Sequence, residues 1–107
     1  MLTRCAAFVG VVAPGLEADM RTYVEEVLAP LWRQFDGASD VRVMFSVQDD
    51  PNGPSVPVVL AIDYPDEAAM ERALDSPARY ESRDLLPEFY ERFFTEVTLL
   101  HYLMETT

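Results

Sequence analysis

Few side chains in this sequence can carry chemistry near neutral pH. His101 is the single histidine, Cys5 is the single cysteine, and all eight basic residues are arginine. Imidazole is the only side chain whose ordinary pKa lies close to 7, so His101 is the candidate acid or base. A lone histidine in a strand is also often a hydrogen-bonded core or interface residue, and that structural interpretation stays open beside the catalytic one.

The same inventory excludes several classes of site. Without lysine, the chain cannot form a Schiff base, bind pyridoxal phosphate covalently or use a P-loop lysine. One cysteine and one histidine cannot form an internal disulfide, a thiolate zinc site or a two-histidine iron site within one chain. We therefore expect neither a metal nor a cofactor.

Charge and hydropathy limit the partners. The formal net charge is −11, so the overall field repels nucleic-acid phosphates and anionic lipid headgroups. No apolar run approaches the length of a membrane span. The run 5–13 after Arg4 looks like the centre of a secretion signal, but Pro14 occupies the position where cleavage needs an ordinary residue. We expect an uncleaved cytoplasmic chain that binds neither nucleic acid nor membranes.

Aromatic residues on the first predicted helix are candidates for a ligand pocket. Tyr23 and Trp32 fall on its apolar stripe, and the small residues Ala6, Ala7 and Gly10 of the first strand could leave space beneath it. An aromatic stripe at helical spacing is also typical of ordinary core packing. Both interpretations remain open.

Two further residues are candidate ligand contacts. Tyr64, at the end of the third predicted strand, could orient a ligand, or could with Asp63 cap the following helix. Arg42 could hold an anionic group, or could pair with a surface acid.

Hydrophobic periodicity predicts the elements that carry these residues. Alternating or continuous apolar runs bounded by turn residues predict strands, and a repeat of three and four predicts helices, the first of them kinked at Pro30. The strands are expected at 4–13, 41–47, 56–64 and 97–104. The helices are expected at 16–35, from 66 to 74, and from Pro77 to Phe94.

This order predicts a single α+β domain over residues 1–107, with a ferredoxin-like βαββαβ antiparallel sheet and its helices on one face. The first and third strands should be central. Because several strands are apolar on both faces, we expect large side chains on the uncovered face, namely Phe8, Val59, Leu100 and Tyr102 or their alternating neighbours. Exposing each of them costs about 1.5 to 3 kcal/mol, so we expect a homodimer through that face.

Several segments resemble a known family. They are Leu28-Ala29-Pro30-Leu31, Phe35-Asp36-Gly37-Ala38, Val41-Arg42-Val43, and Asp63-Tyr64-Pro65-Asp66 followed by Ala69-Met70 and Ala73-Leu74. In this pattern the chain resembles the EthD-like members of the dimeric α/β-barrel superfamily, in which a helix ends in His-x-Pro-Leu. The resemblance implies a dimeric barrel that holds a small, mostly apolar ligand.

Two functions are compatible with this resemblance. One is a cofactor-free oxidoreductase or monooxygenase, cyclase or isomerase acting on a small aromatic or polyketide-like compound. The other is a non-catalytic ligand-binding or accessory protein, since the family histidine falls on Leu28 here, which makes Leu28 a further candidate ligand contact. A third possibility is a purely structural dimer whose barrel is completely packed with side chains.

Overall fold

The computed structural model describes residues 1–107. The strands are β1 (Leu2–Val12), β2 (Asp40–Phe45), β3 (Val58–Tyr64) and β4 (Phe94–Glu105). The helices are α1 (Glu17–Tyr23), α2 (Ala29–Trp32), α3 (Glu67–Leu74) and α4 (Pro77–Phe93), with a π-helical turn (Val24–Leu28) joining α1 to α2. The element order matches the predicted one.

All neighbouring strands are antiparallel, in the order β2-β3-β1-β4. The prediction that the first and third strands are central is therefore confirmed, and the second and third strands pair as a hairpin. The helices pack on one face of this four-stranded sheet, so the predicted ferredoxin-like α+β fold is confirmed as well. None of the helices combines the length and the apolar composition that crossing a lipid bilayer requires.

The phase of β1 corrects one expectation. Phe8 lies on the helix-covered face and is only 1% exposed, not on the uncovered face as expected. Its register partners Val58 and Leu99 lie on the same side. The uncovered face instead carries the odd-numbered residues of β1, with Val59 of β3 and the alternate residues Leu100 and Tyr102 of β4.

Pro30 shapes the first helical region, which ends at Trp32 and not at Phe35. Proline lacks a backbone N–H and its ring clashes with the carbonyl four residues back, so it disfavours a regular α-helix in the turn before it. The wider π-helical turn before Pro30 absorbs this mismatch. The chain then turns at Gly37, whose positive φ of 89° favours glycine.

The strand boundaries differ from the predicted ones by one to three residues at every end except Tyr64, and the differences at the end of β2 and the start of β4 change the interpretation of a residue. β2 ends at Phe45, and Val47 lies beyond it in the loop with 96% of its surface exposed. β4 begins at Phe94, which follows α4 directly, although its position on the apolar stripe assigned it to the helix. A phenylalanine can pack against the core from a helix or from a strand, so the residue type of Phe94 could not locate the boundary between α4 and β4.

The core is an aromatic cluster between the sheet and the helices. Phe8 packs edge-on against Phe89 at 5.9 Å and lies 6.2 Å from Trp32, measured between ring centroids. Tyr23 stacks on the other side of Phe89 at 5.5 Å. These contacts fix α2 and α4 over β1, and they determine where space remains between helix and sheet.

Candidate functional site

A cavity of about 100 Å³ lies between the helix-covered face of the sheet and the helices α2 and α4. Its apolar wall is formed by Ala6, Phe8, Trp32, Phe35, Leu60, Leu86 and Leu99. Its polar wall is formed by Arg4, Arg79, Ser82, Arg83 and His101. The cavity therefore combines an apolar interior with several polar groups, as small-molecule sites do.

Strand register brings His101 to the cavity. His101 lies directly opposite Ala6 in the antiparallel pairing of β4 with β1, so both side chains point toward the helices. The small alanine side chain leaves room beside the imidazole. Arg4, two residues before Ala6, occupies the same face.

Helical spacing supplies the opposite wall. Arg79, Ser82, Arg83 and Leu86 occupy positions i, i+3, i+4 and i+7 on α4, so they share one face of that helix. The Ser82 hydroxyl is buried and donates to the carbonyl of Arg79 at 2.9 Å. The helical structure is interrupted between Leu74 and Pro77, and Pro77 in the first turn of α4 starts the new helix in its own direction across the sheet.

The electrostatic surroundings of His101 are cationic. Partial burial at the cavity mouth lowers the pKa of its imidazole, and the guanidinium groups of Arg4 and Arg79 lower it further. The residue as a whole remains exposed, because β4 is an edge strand. The neutral imidazole is thus favoured near pH 7.

The orienting partner expected for a catalytic histidine is absent. A general base is useful only when a neighbour such as a tyrosine or a carboxylate orients it. His101 makes no side-chain hydrogen bond, and the charged groups that act on it are two arginines. An arginine can only donate hydrogen bonds, so it can accept none from the imidazole. His101 lines the cavity without a fixed tautomer.

Trp32 is the other predicted site residue on this cavity. It is 3% exposed at the end of α2, where its ring closes the wall next to Phe8. Phe35, in the turn after α2, extends the same wall. The aromatic stripe of the first helical region therefore contributes both to the core and to the cavity.

Tyr23 and Leu28 lie away from the cavity. The Tyr23 ring is half-buried against Phe89 and Phe93, and burial raises the pKa of its hydroxyl. Leu28, which stands at the family histidine position, is fully buried in the core. Gly10 does not leave space for a ligand, because the position of a side chain on it is already occupied by the carbonyl oxygen of Glu96 in β4.

Arg42 lies on the uncovered face of the sheet. Its guanidinium donates to Asp63 at 2.6 and 3.1 Å and to Asp40 at 2.8 Å, and these partners raise its pKa. Thr3 also donates to Asp63 at 2.6 Å. The geometry of Arg42 thus matches the surface-pairing alternative.

Tyr64 is fully buried at the end of β3, on the helix-covered face. Its hydroxyl has no hydrogen-bond partner, and burial raises its pKa, which the charge of Arg4 partly offsets. The helix after it is capped by Asp66, which accepts from the Ala69 amide at 2.8 Å, and not by Asp63 or Tyr64. Tyr64 lies near the cavity wall but does not line it.

Sequence reasoning missed four polar residues of the site. Arg4, Arg79, Ser82 and Arg83 were not singled out, although Arg79, Ser82 and Arg83 share a helical face with Leu86. That periodicity was a usable signal. No group of three or more histidine, cysteine or acidic side chains is arranged to hold a metal ion.

Comparison with known proteins gives structural matches only. No protein-family model and no curated protein sequence matches the chain. An ethyl tert-butyl ether D (EthD) family protein from Bacillus halodurans matches with a TM-score of 0.68 and 20% identity, covering 100% of both chains.

Two other solved structures share the same arrangement. SnoaB from Streptomyces nogalater, described as a cofactor-independent oxygenase, matches with a TM-score of 0.64 and 19% identity over 99% of this chain and 92% of its own. A proposed antibiotic biosynthesis monooxygenase from Deinococcus radiodurans matches with a TM-score of 0.65 and 19% identity over 100% of this chain and 93% of its own. The chain therefore has the ferredoxin-like α+β fold found in EthD-family and oxygenase structures, as the sequence resemblance implied.

Proposed function

We propose that the cavity beside His101 is a small-molecule site, and that this EthD-like protein acts without a cofactor on a small aromatic or polyketide-like compound. The observation that carries the proposal is the position of His101 on the wall of an otherwise largely apolar cavity. A cofactor-independent oxygenase with the same fold is compatible with this reaction class, but fold alone does not choose a reaction, so the argument rests on the residues of the cavity.

The size of the cavity limits what enters it. A dry apolar cavity of about 150 Å³ can hold benzene. At about 100 Å³, this one accepts roughly one aromatic ring at most, and the rest of a larger compound would lie at the mouth beside His101. A fused polyketide would place only its terminal ring inside.

The proposed role of His101 is that of a base. Its lowered pKa leaves the imidazole neutral at pH 7, ready to take a proton from an acidic C–H or O–H next to the bound ring. Such proton removal is shared by cofactor-free oxygenation, cyclisation and isomerisation. Trp32 and Phe35 would position the ring while the proton is transferred.

Two observations favour a second function, a non-catalytic ligand-binding or accessory protein. Leu28 stands where the family has its histidine and is buried in the core, where it can contact no ligand in this cavity. In addition, no neighbour fixes the tautomer of His101. A binding protein needs the cavity but neither of those groups.

A ligand screen followed by one substitution separates the two functions. Single-ring aromatic and quinone-like compounds are screened by thermal shift and then assayed for turnover with His101→Asn and with Glu105→Gln, a control at the end of the same strand outside the cavity. For an enzyme, we expect His101→Asn to abolish turnover and Glu105→Gln to retain it. Ligand binding without turnover supports the accessory protein, and the absence of any binding contradicts the site itself.

We also propose a homodimer through the uncovered face of the sheet. Met44, Leu100, Tyr102 and Met104 are exposed there, although they are large and apolar. A twofold contact between identical faces would bury all of them at once. No nucleic acid or membrane partner is included, since the net charge of −11 opposes both.

Sedimentation tests the dimer. We expect a dimer at micromolar concentration, dissociation with Tyr102→Glu, and no change with the control Val47→Glu, which alters an exposed apolar residue of the loop. Monomeric wild-type protein at that concentration would contradict the proposal.

Cys5 lies half-buried on the same uncovered face, and we propose that it acts there as a small apolar residue. Cys5→Ala should leave the dimer intact, which fits a reducing cytoplasmic location. Loss of the dimer on addition of a reductant alone would contradict this.

A further inference from the structure

Three of the eight arginines converge on the cavity. Arg4 comes from β1, and Arg79 and Arg83 come from α4, with His101 beside them on β4. No aspartate or glutamate is among the twelve lining residues, although the chain has 19 acids. The cavity is thus cationic within a strongly acidic protein.

The other surface depressions differ in this respect. Each of the four contains at least one carboxylate, and three of them pair it with an arginine in the same wall. The exclusion of acids is a property of this cavity alone.

The three arginines also lack protein counter-charges. The ion pairs of the chain involve Arg42 and Arg92, and none involves Arg4, Arg79 or Arg83. Arg79 makes only a long contact of 3.4 Å to the Leu74 carbonyl. The guanidinium groups are therefore available to a ligand.

The nearby side chains leave this charge in place. Arg79 and Arg83 approach the ring of Tyr80 at 5.5 and 5.2 Å, a contact that holds the guanidinium groups without neutralising them. The carboxylate of Asp75, just before α4, accepts from the Tyr80 hydroxyl at 2.8 Å and pairs with neither arginine.

Holding these cations together is unfavourable unless an anion joins them. Burial lowers the pKa of the Arg4 guanidinium and the charge of Arg79 lowers it further, while Tyr64 acts in the opposite direction. A carboxylate fits the planar fork of guanidinium donors and offsets both the lost hydration and the repulsion. The apolar wall behind them suits a ring or a short chain.

We propose that the cavity selects a small amphipathic anion, with one apolar ring or short chain inside and one carboxylate or similar anionic oxygen group at the mouth between Arg4, Arg79 and Arg83. This inference rests on the proposed function only in requiring that the cavity binds a small molecule. It adds the charge of the ligand, which neither fold nor apolar lining specifies.

Matched probes test the inference. Benzoate and phenylacetate are compared with their neutral amides, benzamide and phenylacetamide, by titration calorimetry and thermal shift at 0.15 M salt, where the Debye length of about 8 Å limits distant charge effects. We expect the carboxylates to bind at least about tenfold more tightly than the amides. Inorganic phosphate should bind more weakly than benzoate, because it cannot use the apolar wall.

Substitutions locate the effect. Arg79→Gln and Arg83→Gln should each weaken benzoate binding by about tenfold while leaving benzamide binding nearly unchanged. Arg92→Gln is the matched control, since it removes one arginine from the same helix outside the cavity. It should leave both probes unchanged.

The outcomes distinguish this inference from the proposed function. If carboxylates and amides bind equally well, the small-molecule site is supported but the selection of anions is wrong. Benzoate binding that Arg79→Gln, Arg83→Gln and Arg92→Gln reduce equally would also overturn it, since the effect would then follow net charge. Absence of binding by every probe would contradict both.

Discussion

Arg42 and Arg4 lie on opposite faces of the same sheet and have opposite surroundings. Arg42, on the uncovered face, is held by two carboxylates, and its charge is neutralised within the chain. Arg4, on the helix-covered face, is more buried and has no ion pair. Burial alone would favour the reverse, because a shielded charge needs a partner more than an exposed one does.

The difference separates a structural use of charge from a functional one. On the uncovered face, Arg42 and Asp63 link β2 to β3, with Thr3 of β1 joining through a hydrogen bond. On the covered face, Arg4 shares a cavity with Arg79, Arg83 and His101, where no acid is present. A set of unsatisfied cations is maintained there, and this is the strongest electrostatic sign of a binding site in the molecule.

The largest expected effect concerns the apolar residues of the two faces. Phe8→Ala should lower the free energy of unfolding by about 3 to 5 kcal/mol at any protein concentration, because it empties the centre of the aromatic core. Tyr102→Ala, on the uncovered face, should cost less, and its cost should grow with protein concentration if a second copy covers that face. Denaturant unfolding at two protein concentrations measures both effects, and a concentration-dependent cost for Phe8→Ala would contradict the assignment of faces.

The next effect concerns the two arginines themselves. Arg4→Met should raise the free energy of unfolding by about 1 kcal/mol, because it removes a partly buried charge without a partner and keeps the aliphatic volume. Arg42→Met should lower it, because Asp63 and Asp40 lose their cation. Chemical denaturation in the absence of ligand gives the two signs, and equal destabilisation by both variants would mean that Arg4 is satisfied within the chain.

Stability at acid pH should depend on the Asp63 carboxylate, which Arg42 and Thr3 bind on the uncovered face. Hydrogen bonds from Arg42 and Thr3 lower the pKa of Asp63 to about 2. A lowered carboxyl pKa stabilises the folded state fully above the unfolded value of about 4, and this contribution is lost as the pH falls toward 2. Asp63→Asn should therefore lose less stability than the wild type between pH 4 and 2. Asp36→Asn, which alters an exposed acid without side-chain hydrogen bonds, should follow the wild type.

The smallest expected effect concerns His101. Its lowered pKa means that the folded protein binds fewer protons than the unfolded chain, so stability should fall slightly as the pH drops through about 6.5. His101→Asn should remove this slope. Nuclear magnetic resonance titration should give an imidazole pKa below 6.5 that rises in Arg79→Gln and on adding benzoate. An imidazole pKa that benzoate leaves unchanged would place the anion away from the cavity mouth.

Much of the architecture could be predicted from local pattern. Alternation of Val41 and Val43 with Arg42 and Met44 identified β2 and its faces, and the Ser76-Pro77 pair located the start of α4. These features depend on short-range geometry, the two-residue period of a strand and the fixed φ of proline. Such signals survive in a single sequence because no distant residue is needed to produce them.

The sequence by itself determined the element order, the sheet topology and the chemical scarcity that singled out His101. Only the tertiary structure decided that Phe8 faces the helices, because a strand with apolar residues on both sides carries no alternation from which its phase can be read. Only the tertiary structure could bring Arg4, Arg79, Arg83 and His101 to one cavity. Their meeting depends on the register of β1 with β4 and on the path of α4 across the sheet, which long-range packing fixes and local sequence does not encode.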